Sequence, residues 1–312
     1  MRITGEKSFL LVISSIFFSS IVFAASPIKT HEIKFLQEYS GGAAGSLSLP
    51  SDVAVDKEQV YIVDSGNHRL VVFDHQGQFR FAVGTEGDKP GQFSGPVGID
   101  VTAQGDVYIA DSGNYRIQIF GRDGQYKKSF QVKSDGKLVR PTDVLAGPDG
   151  KEIYITGNTN HKVMVFSPDG QLQREWGGSG LNPGEFRYPG TVALLQDNRL
   201  AVIDVLNTRV QVFDRSGEFS IEVGEWGVLP GQLFRPKGVA VDSKGKLYIS
   251  DSYMNLIQVF EDTGVFLHLL KTAHKEKPVA LESPTGIAIS KDDRLFIAET
   301  LKNKVTVYKL EP

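Results

Sequence analysis

The chain contains no cysteine, only two tryptophans and only three methionines. Without cysteine there is no disulfide, no thiolate nucleophile and no thiolate-held zinc or iron–sulfur site, so stability has to come from packing. An excess of cationic charge is missing as well: 34 Lys and Arg stand against 37 Asp and Glu, a formal net charge of -3. No broad basic field exists to condense on phosphates or anionic lipid, which disfavours nucleic acid as a partner. Four common signatures of chemistry are also absent: the G-x-S-x-G elbow, the phosphate-binding Gly-Lys-Ser/Thr loop, H-E-x-x-H and the EF-hand loop.

Long apolar runs occur once, at the N-terminus. Arg2 and Lys7 precede an uncharged stretch from Phe9 to Phe23, and Val22-Phe23-Ala24 places small residues where a signal peptidase reads them. The pattern predicts a cleaved signal peptide over residues 1–24, export to the periplasm or medium, and a mature chain from residue 25 to 312. The alternative is an uncleaved anchor, because the uncharged segment Ser8–Ile28 is long enough to span a bilayer; a membrane partner is expected only in that case.

What the rest of the chain does have is internal repetition. Copies begin at Pro50, Pro96, Pro141, Pro189, Pro236 and Pro284, spaced 45 to 48 residues apart. Each copy runs in the same order, as in Pro96–Val101, a Gly-Asp turn, Val107–Ala110, Asp111-Ser112-Gly113-Asn114, then Arg116–Phe120 and a hairpin at Arg122-Asp123-Gly124. The apolar runs are strand-length, β-branched and bounded by turn residues, so each copy predicts four strands. The sixth copy stops at Tyr308-Lys309-Leu310 before its fourth strand, while Ile33–Tyr39 stands alone ahead of the first. The expectation is an all-β, six-bladed β-propeller of four-stranded blades, its ring closed by the N-terminal strand, which removes exposed sheet edges. A monomer is expected.

The run from Tyr108 to Phe120, and Tyr61 to Phe73 with Asn67-His68-Arg69, resemble the NHL repeat. The connections Pro90-Gly91-Gln92-Phe93, Pro183-Gly184-Glu185-Phe186 and Pro230-Gly231-Gln232-Leu233 are similar to the inter-blade loop of that family. The resemblance implies a six-bladed propeller whose members mostly recognise partners. Its RNA-binding members carry a basic face in the cytoplasm, a pattern this acidic, export-marked chain departs from.

With strands a to d running outward from the centre, the b–c and d–a loops share one face, and matching repeat positions form rings around it. Asp64, Asp111, Gly157, Asp204, Asp251 and Glu299 form an acidic ring, readable as calcium or acid–base chemistry or, more simply, as turn caps. Arg69, Arg116, Lys162, Arg209, Leu256 and Lys304 form a cationic ring, a rim for an acidic ligand or the partner of the acidic ring within each blade. A third ring, His68, Tyr115, His161, Thr208, Asn255 and Asn303, carries two imidazoles, too few for the three protein ligands of catalytic zinc. Channel-facing Asp52 and Asp143 stand two residues beyond their prolines and offer carboxylates at the channel mouth.

Departures from the repeat concentrate in one sector, at Val205-Leu206, Tyr253-Met254 and the two tryptophans, Trp176 and Trp226. The leading expectation is a non-enzymatic extracytoplasmic module that holds a protein, peptide or glycan partner on the b–c and d–a loop face. Its candidate binding residues are Arg69, Tyr115, Arg116, Lys162, Val205, Leu206, Arg209, Tyr253 and Met254, with no cofactor. The alternative is a metal-dependent hydrolase or lyase with a single divalent metal in the channel, by fold-level analogy to the gluconolactonase-like propellers and the peptidyl-hydroxyglycine lyases.

Overall fold

The computed structural model describes residues 28–274 and 277–310. The expected signal peptide, residues 1–24, lies outside the described residues. Each proline that opens a repeat opens an innermost strand. Blade 1 runs Pro50–Val55, Gln59–Asp64, Arg69–Asp74 and Phe79–Val83, every neighbouring pair antiparallel. Blades 2, 3 and 4 repeat the pattern from Pro96, Pro141 and Pro189 as separate four-stranded sheets. The second strand of a blade is buried on both faces, as at Val107–Asp111 and Leu200–Asp204, which is why it reads as an unbroken apolar run rather than an alternating one.

Blades 5 and 6, from Pro236 and Pro284, are joined into one sheet by the N-terminal strand Thr30–Tyr39. Its second half closes blade 6 antiparallel to Lys304–Lys309, with Phe35 opposite Tyr308 and Tyr39 opposite Val305. Its first half runs parallel to the outer strand of blade 5, Phe266–His274, with Thr30 opposite Leu269 and Lys34 opposite Ala273. The strand is three residues longer than its apolar core in the sequence, because Thr30, His31 and Glu32 are held by backbone pairing to blade 5 and need no apolar side chains.

The core is a ring of six apolar clusters, one at each blade-to-blade interface. Phe73, Phe120, Phe166, Phe213, Phe260 and Tyr308 end the third strands and are all nearly completely buried. In three connections an apolar residue of the loop caps this layer: Phe93 lies over Phe120 at 5.7 Å and Phe186 over Phe213 at 5.5 Å, with Leu233 equivalent. The chain passes these residues at Gly84, Gly177 and Gly224, all with positive φ. A Cβ there would stand 2.5 to 2.8 Å from the capping side chain, so glycine is required on both counts.

Candidate functional site

The b–c and d–a loops do share a face, and the side chains of the acidic ring hold it together. Asp111 is fully buried. It accepts from the Ser94 amide of the incoming loop (2.8 Å), from Asn114 Nδ2 (2.9 Å) and from Arg116 Nε (2.7 Å). The same set recurs around Asp64, with Ser48, Asn67 and Arg69, and around Asp204, with Arg187, Asn207 and Arg209. Asp251 and Glu299 also accept loop amides, from Phe234 and Arg235 and from Glu282. Blade 3 has Gly157 in the ring, and its Lys162 turns to Glu175 instead.

The cationic ring faces inward for the same reason. After meeting its aspartate, Arg116 donates from its terminal nitrogens to the carbonyls of Asp88, Lys89 and Gln92 at 2.7 to 2.9 Å. Arg209 does the same to Asn182 and Glu185, and adds Glu222. Arg69 donates to the Ala44 and Ser46 carbonyls. These guanidiniums fasten the preceding loop to its blade.

The third ring is a set of latches between blades. His68 Nδ1 accepts from the Gly95 amide at 3.0 Å, His161 Nδ1 from Tyr188 at 3.1 Å, Asn255 Oδ1 from Ser283 at 2.7 Å and Asn303 Oδ1 from Leu49 at 2.8 Å. Each of those amides belongs to the residue just before the next blade's proline, and all four residues sit at positive φ, from 48 to 71 degrees. At the other two boundaries Thr159 Oγ1 and Asp251 Oδ2 accept the equivalent amides of Arg140 and Arg235, neither of which is left-handed. An imidazole with Nδ1 committed to a backbone amide holds its proton on Nε2. The remaining two members differ: the Arg140 guanidinium lies 5.4 Å from the Tyr115 ring centroid, and the Thr208 hydroxyl donates to the Asn207 carbonyl of its own turn.

One set of residues escaped sequence analysis. Gln118, Gln211 and Gln258, in the middle of the third strand, are completely buried. Their Oε1 atoms accept from Gly91, Gly184 and Gly231 at 2.8 to 3.0 Å, while their amide groups donate to the loop carbonyls of Gln92, Glu185 and Gln232. The signal was present: glutamine stands at this position only in the three blades preceded by a Pro-Gly-Gln/Glu-Phe/Leu loop, where blades 1, 3 and 6 have Val71, Met164 and Thr306.

At the centre of the same face a cavity of about 370 Å³ opens, reached by Arg140 and Tyr188 from the d–a connections and by Asn158 and Val205 from the b–c turns. Below it a second cavity of about 250 Å³ continues along the channel. Asp52, Asp143 and Thr191 line both, so the two carboxylates form the partition between them. Asp52 Oδ2 accepts from the Ile99 amide of the next blade at 3.1 Å, and Asp143 Oδ2 from Val192 at 2.9 Å. Asp52 fills the space left by Gly286 and Asp143 that left by Gly98. Burial pushes Asp143 up to about 7, burial and then the Asp143 charge push Asp52 well above the usual carboxylate range, and burial lifts Asp100, lower in the channel, to about 6. Asp143 Oδ1 has no hydrogen-bond partner. Among the described residues no group of three or more His, Cys, Asp or Glu side chains converges to hold a metal ion. The channel acids stand on separate blades, each bound to a backbone amide, and do not fit the divalent metal that the lactonase analogy implies.

Six strongly exposed apolar residues stand on the loops of blades 3 to 5, and Leu301 (64% exposed) stands alone on the matching turn of blade 6. Leu206 is 52% exposed, Tyr253 62% and Trp226 70%, and Leu181, Val228 and Leu229 stand out from the adjoining connections. Tyr253 stacks on Phe234 at 4.3 Å between centroids. Met254 is half-buried. Val205, expected on the surface, is only 5% exposed: its side chain packs into the cluster between blades 4 and 5 and borders the cavity. The tryptophans divide, since Trp176 packs on Phe213 at 5.9 Å whereas Trp226 is the most exposed residue of the sector.

Comparison with known proteins bears on the fold. The NHL repeat family matches residues 47–73, 93–120 and 235–260. No curated protein matches the chain. Among solved structures, a streptogramin B lyase is 18% identical with a TM-score of 0.65, over 88% of this chain and 97% of that one. A catalytically inactive virginiamycin B lyase from Staphylococcus aureus, solved with Quinupristin, is 16% identical with a TM-score of 0.61, over 84% and 80%. A gluconolactonase from Xanthomonas campestris is 19% identical with a TM-score of 0.64, over 88% of both chains. At such identities the likeness is one of architecture. Blade topology and neighbours agree that the chain is a six-bladed β-propeller, and it carries NHL repeats at the three matched segments.

Proposed function

We propose that the protein is a recognition module acting outside the cytoplasm, holding a protein or peptide partner across the b–c and d–a loop face of blades 3 to 5. The observation that carries this reading is the placement of the exposed apolar side chains. Leu206, Trp226, Val228, Leu229 and Tyr253 lie on the loops of one sector of the face on which the channel cavity opens. Clustered exposed aromatic and aliphatic groups of this kind are characteristic of contact surfaces, in which Trp and Tyr supply large desolvated area at low entropic cost. The acidic and cationic rings are occupied within the blades, which leaves apolar contact, rather than a charged rim, as the main source of affinity. Support for export is the N-terminal pattern around Phe9–Ala24.

The test is capture of partners from an extract of the source cells by the wild type and by the triple variant Leu206→Ser/Trp226→Ser/Tyr253→Ser. These side chains add little to the core, so the melting temperature is expected to stay within a few degrees, while specific capture falls at least about tenfold. Equal capture by both proteins would remove the apolar sector from the account.

A further inference from the structure

One residue beyond each leading proline, the rim of the channel carries Ser51, Val97, Thr142, Gly190, Lys237 and Thr285. Most of this rim is tied blade to blade. Ser51 Oγ donates to the Val97 carbonyl at 2.7 Å, Ser250 Oγ to the Thr285 carbonyl at 2.6 Å, and the Thr191 hydroxyl to the Lys237 carbonyl. The Lys237 ammonium is different: it has no acceptor among the described residues, although its side chain lines the 370 Å³ cavity. Arg140, at the entry to blade 3 two blades away, lines the same cavity, its Nε 3.4 Å from the Tyr115 hydroxyl and its terminal nitrogens without a partner among the described residues. Beside Arg140, on the first strand of blade 3, Thr142 Oγ1 and Asp143 Oδ1 are sealed inside the wall without a partner.

Lys237 is half-buried and its ammonium has no ion-pair partner among the described residues, and a concave site of this size holding an unmatched cation is shaped for a ligand. The sign of that ligand follows from the cavity. The two acids in its wall, Asp52 and Asp143, have their ionised forms disfavoured by burial. Burial and then the nearby Arg235 charge also press Lys237 toward its neutral form, a cost that an incoming anion removes. We propose that this channel mouth is a carboxylate-binding site, with Lys237 meeting one carboxylate oxygen and Arg140 closing over the rim. The inference deepens the recognition reading and rests on it for one of its two sources of carboxylate, the C-terminal end of a bound peptide; the other source is a free small acid.

The experiment uses the full chain with its lysines reductively methylated with 13C, so that the Lys237 resonance, identified by its loss in Lys237→Met, reports on the site. Acetate, citrate, inorganic phosphate, and N-acetyl-trialanine with a free or an amidated C-terminus are titrated in turn. At least one carboxylate is expected to shift the Lys237 resonance and raise its titration point. Binding of that probe, measured by calorimetry on unmethylated protein, should weaken at least about tenfold in Lys237→Met, fall in Arg140→Ala and be largely retained in Lys237→Arg, which keeps the cation. Binding of the free peptide but not its amide assigns a chain end; binding of citrate or acetate alone assigns a free acid. No movement of the Lys237 resonance with any carboxylate, equal affinity in Lys237→Met, or phosphate bound more tightly than every carboxylate overturns the site. If carboxylates fail while the loop face still captures partners, only this inference falls; if they bind while no partner is captured, only the recognition reading falls.

Discussion

At the scale of single residues, position in the repeat and role in the protein separate clearly. A carboxylate repeated in five of six blades invites a chemical interpretation, yet Asp64, Asp111 and Asp204 each hold an incoming loop amide and a guanidinium of their own blade. Removing one leaves buried donors without an acceptor, so Asp111→Ala is expected to destabilise the protein by about 3 kcal/mol, read as a lowered denaturant midpoint; a loss under about 1 kcal/mol would show that the network is not structural. Asp143 behaves oppositely, because its environment favours the neutral form. With a folded value near 7 against an ordinary 3.8, the folded protein retains a proton that the unfolded chain has released across that window. The associated stability is therefore full below the unfolded value and is lost as pH rises through about 7. Asp143→Asn cannot ionise, and should flatten this decline and raise stability at about pH 8 by roughly 1 to 3 kcal/mol, measured by melts across pH. A variant that keeps the wild-type slope would place the titration elsewhere.

At the scale of elements, the repeats were legible and the ties between them were not. The prolines, the apolar runs of the second strands and the Gly turns mark every blade, because they answer local demands of φ and of burial on two faces. The glutamines of blades 2, 4 and 5 went unread because their function depends on a loop that arrives from the preceding blade, some 26 residues earlier in sequence. Gln118→Ala is expected to speed hydrogen exchange at Gly91 and its neighbours by about tenfold or more while leaving the strands of blade 2 protected. Unchanged exchange would mean that the Phe93 cap alone holds the loop. The N-terminal strand was legible as the closing strand of blade 6. Its parallel pairing to Leu269–Ala273 was not, since that segment matches an edge made only when the ring closes. Truncating residues 28–34 should therefore keep the antiparallel closure of blade 6 but increase exchange along Phe266–Ala273, and truncating to residue 40 should expose the Lys304–Lys309 edge and bring aggregation.

At the scale of the whole molecule, six similar blades give a ring in which no blade is privileged, and function has to lie where the repetition fails. The sequence marks several of those places, in Leu206, Tyr253 and Trp226, and the structure adds Lys237, a long cation in a column otherwise filled by Ser, Val, Thr and Gly. It also withdraws Val205, which packs inward, and turns Arg69, Arg116 and Arg209 toward the loops beneath them. The face of b–c and d–a loops thus differs in character from the opposite face of a–b and c–d hairpins, and the claim that the loop face does the protein's work can be put directly to the molecule. A photo-crosslinking amino acid is placed at Tyr253 on the loop face or at Gln125 on the hairpin face, and each protein is irradiated in extract of the source cells. The account predicts a discrete adduct from position 253 alone, lost when Leu206 and Trp226 are changed to serine; adducts of equal yield from both faces, or an adduct from position 125 alone, would contradict it.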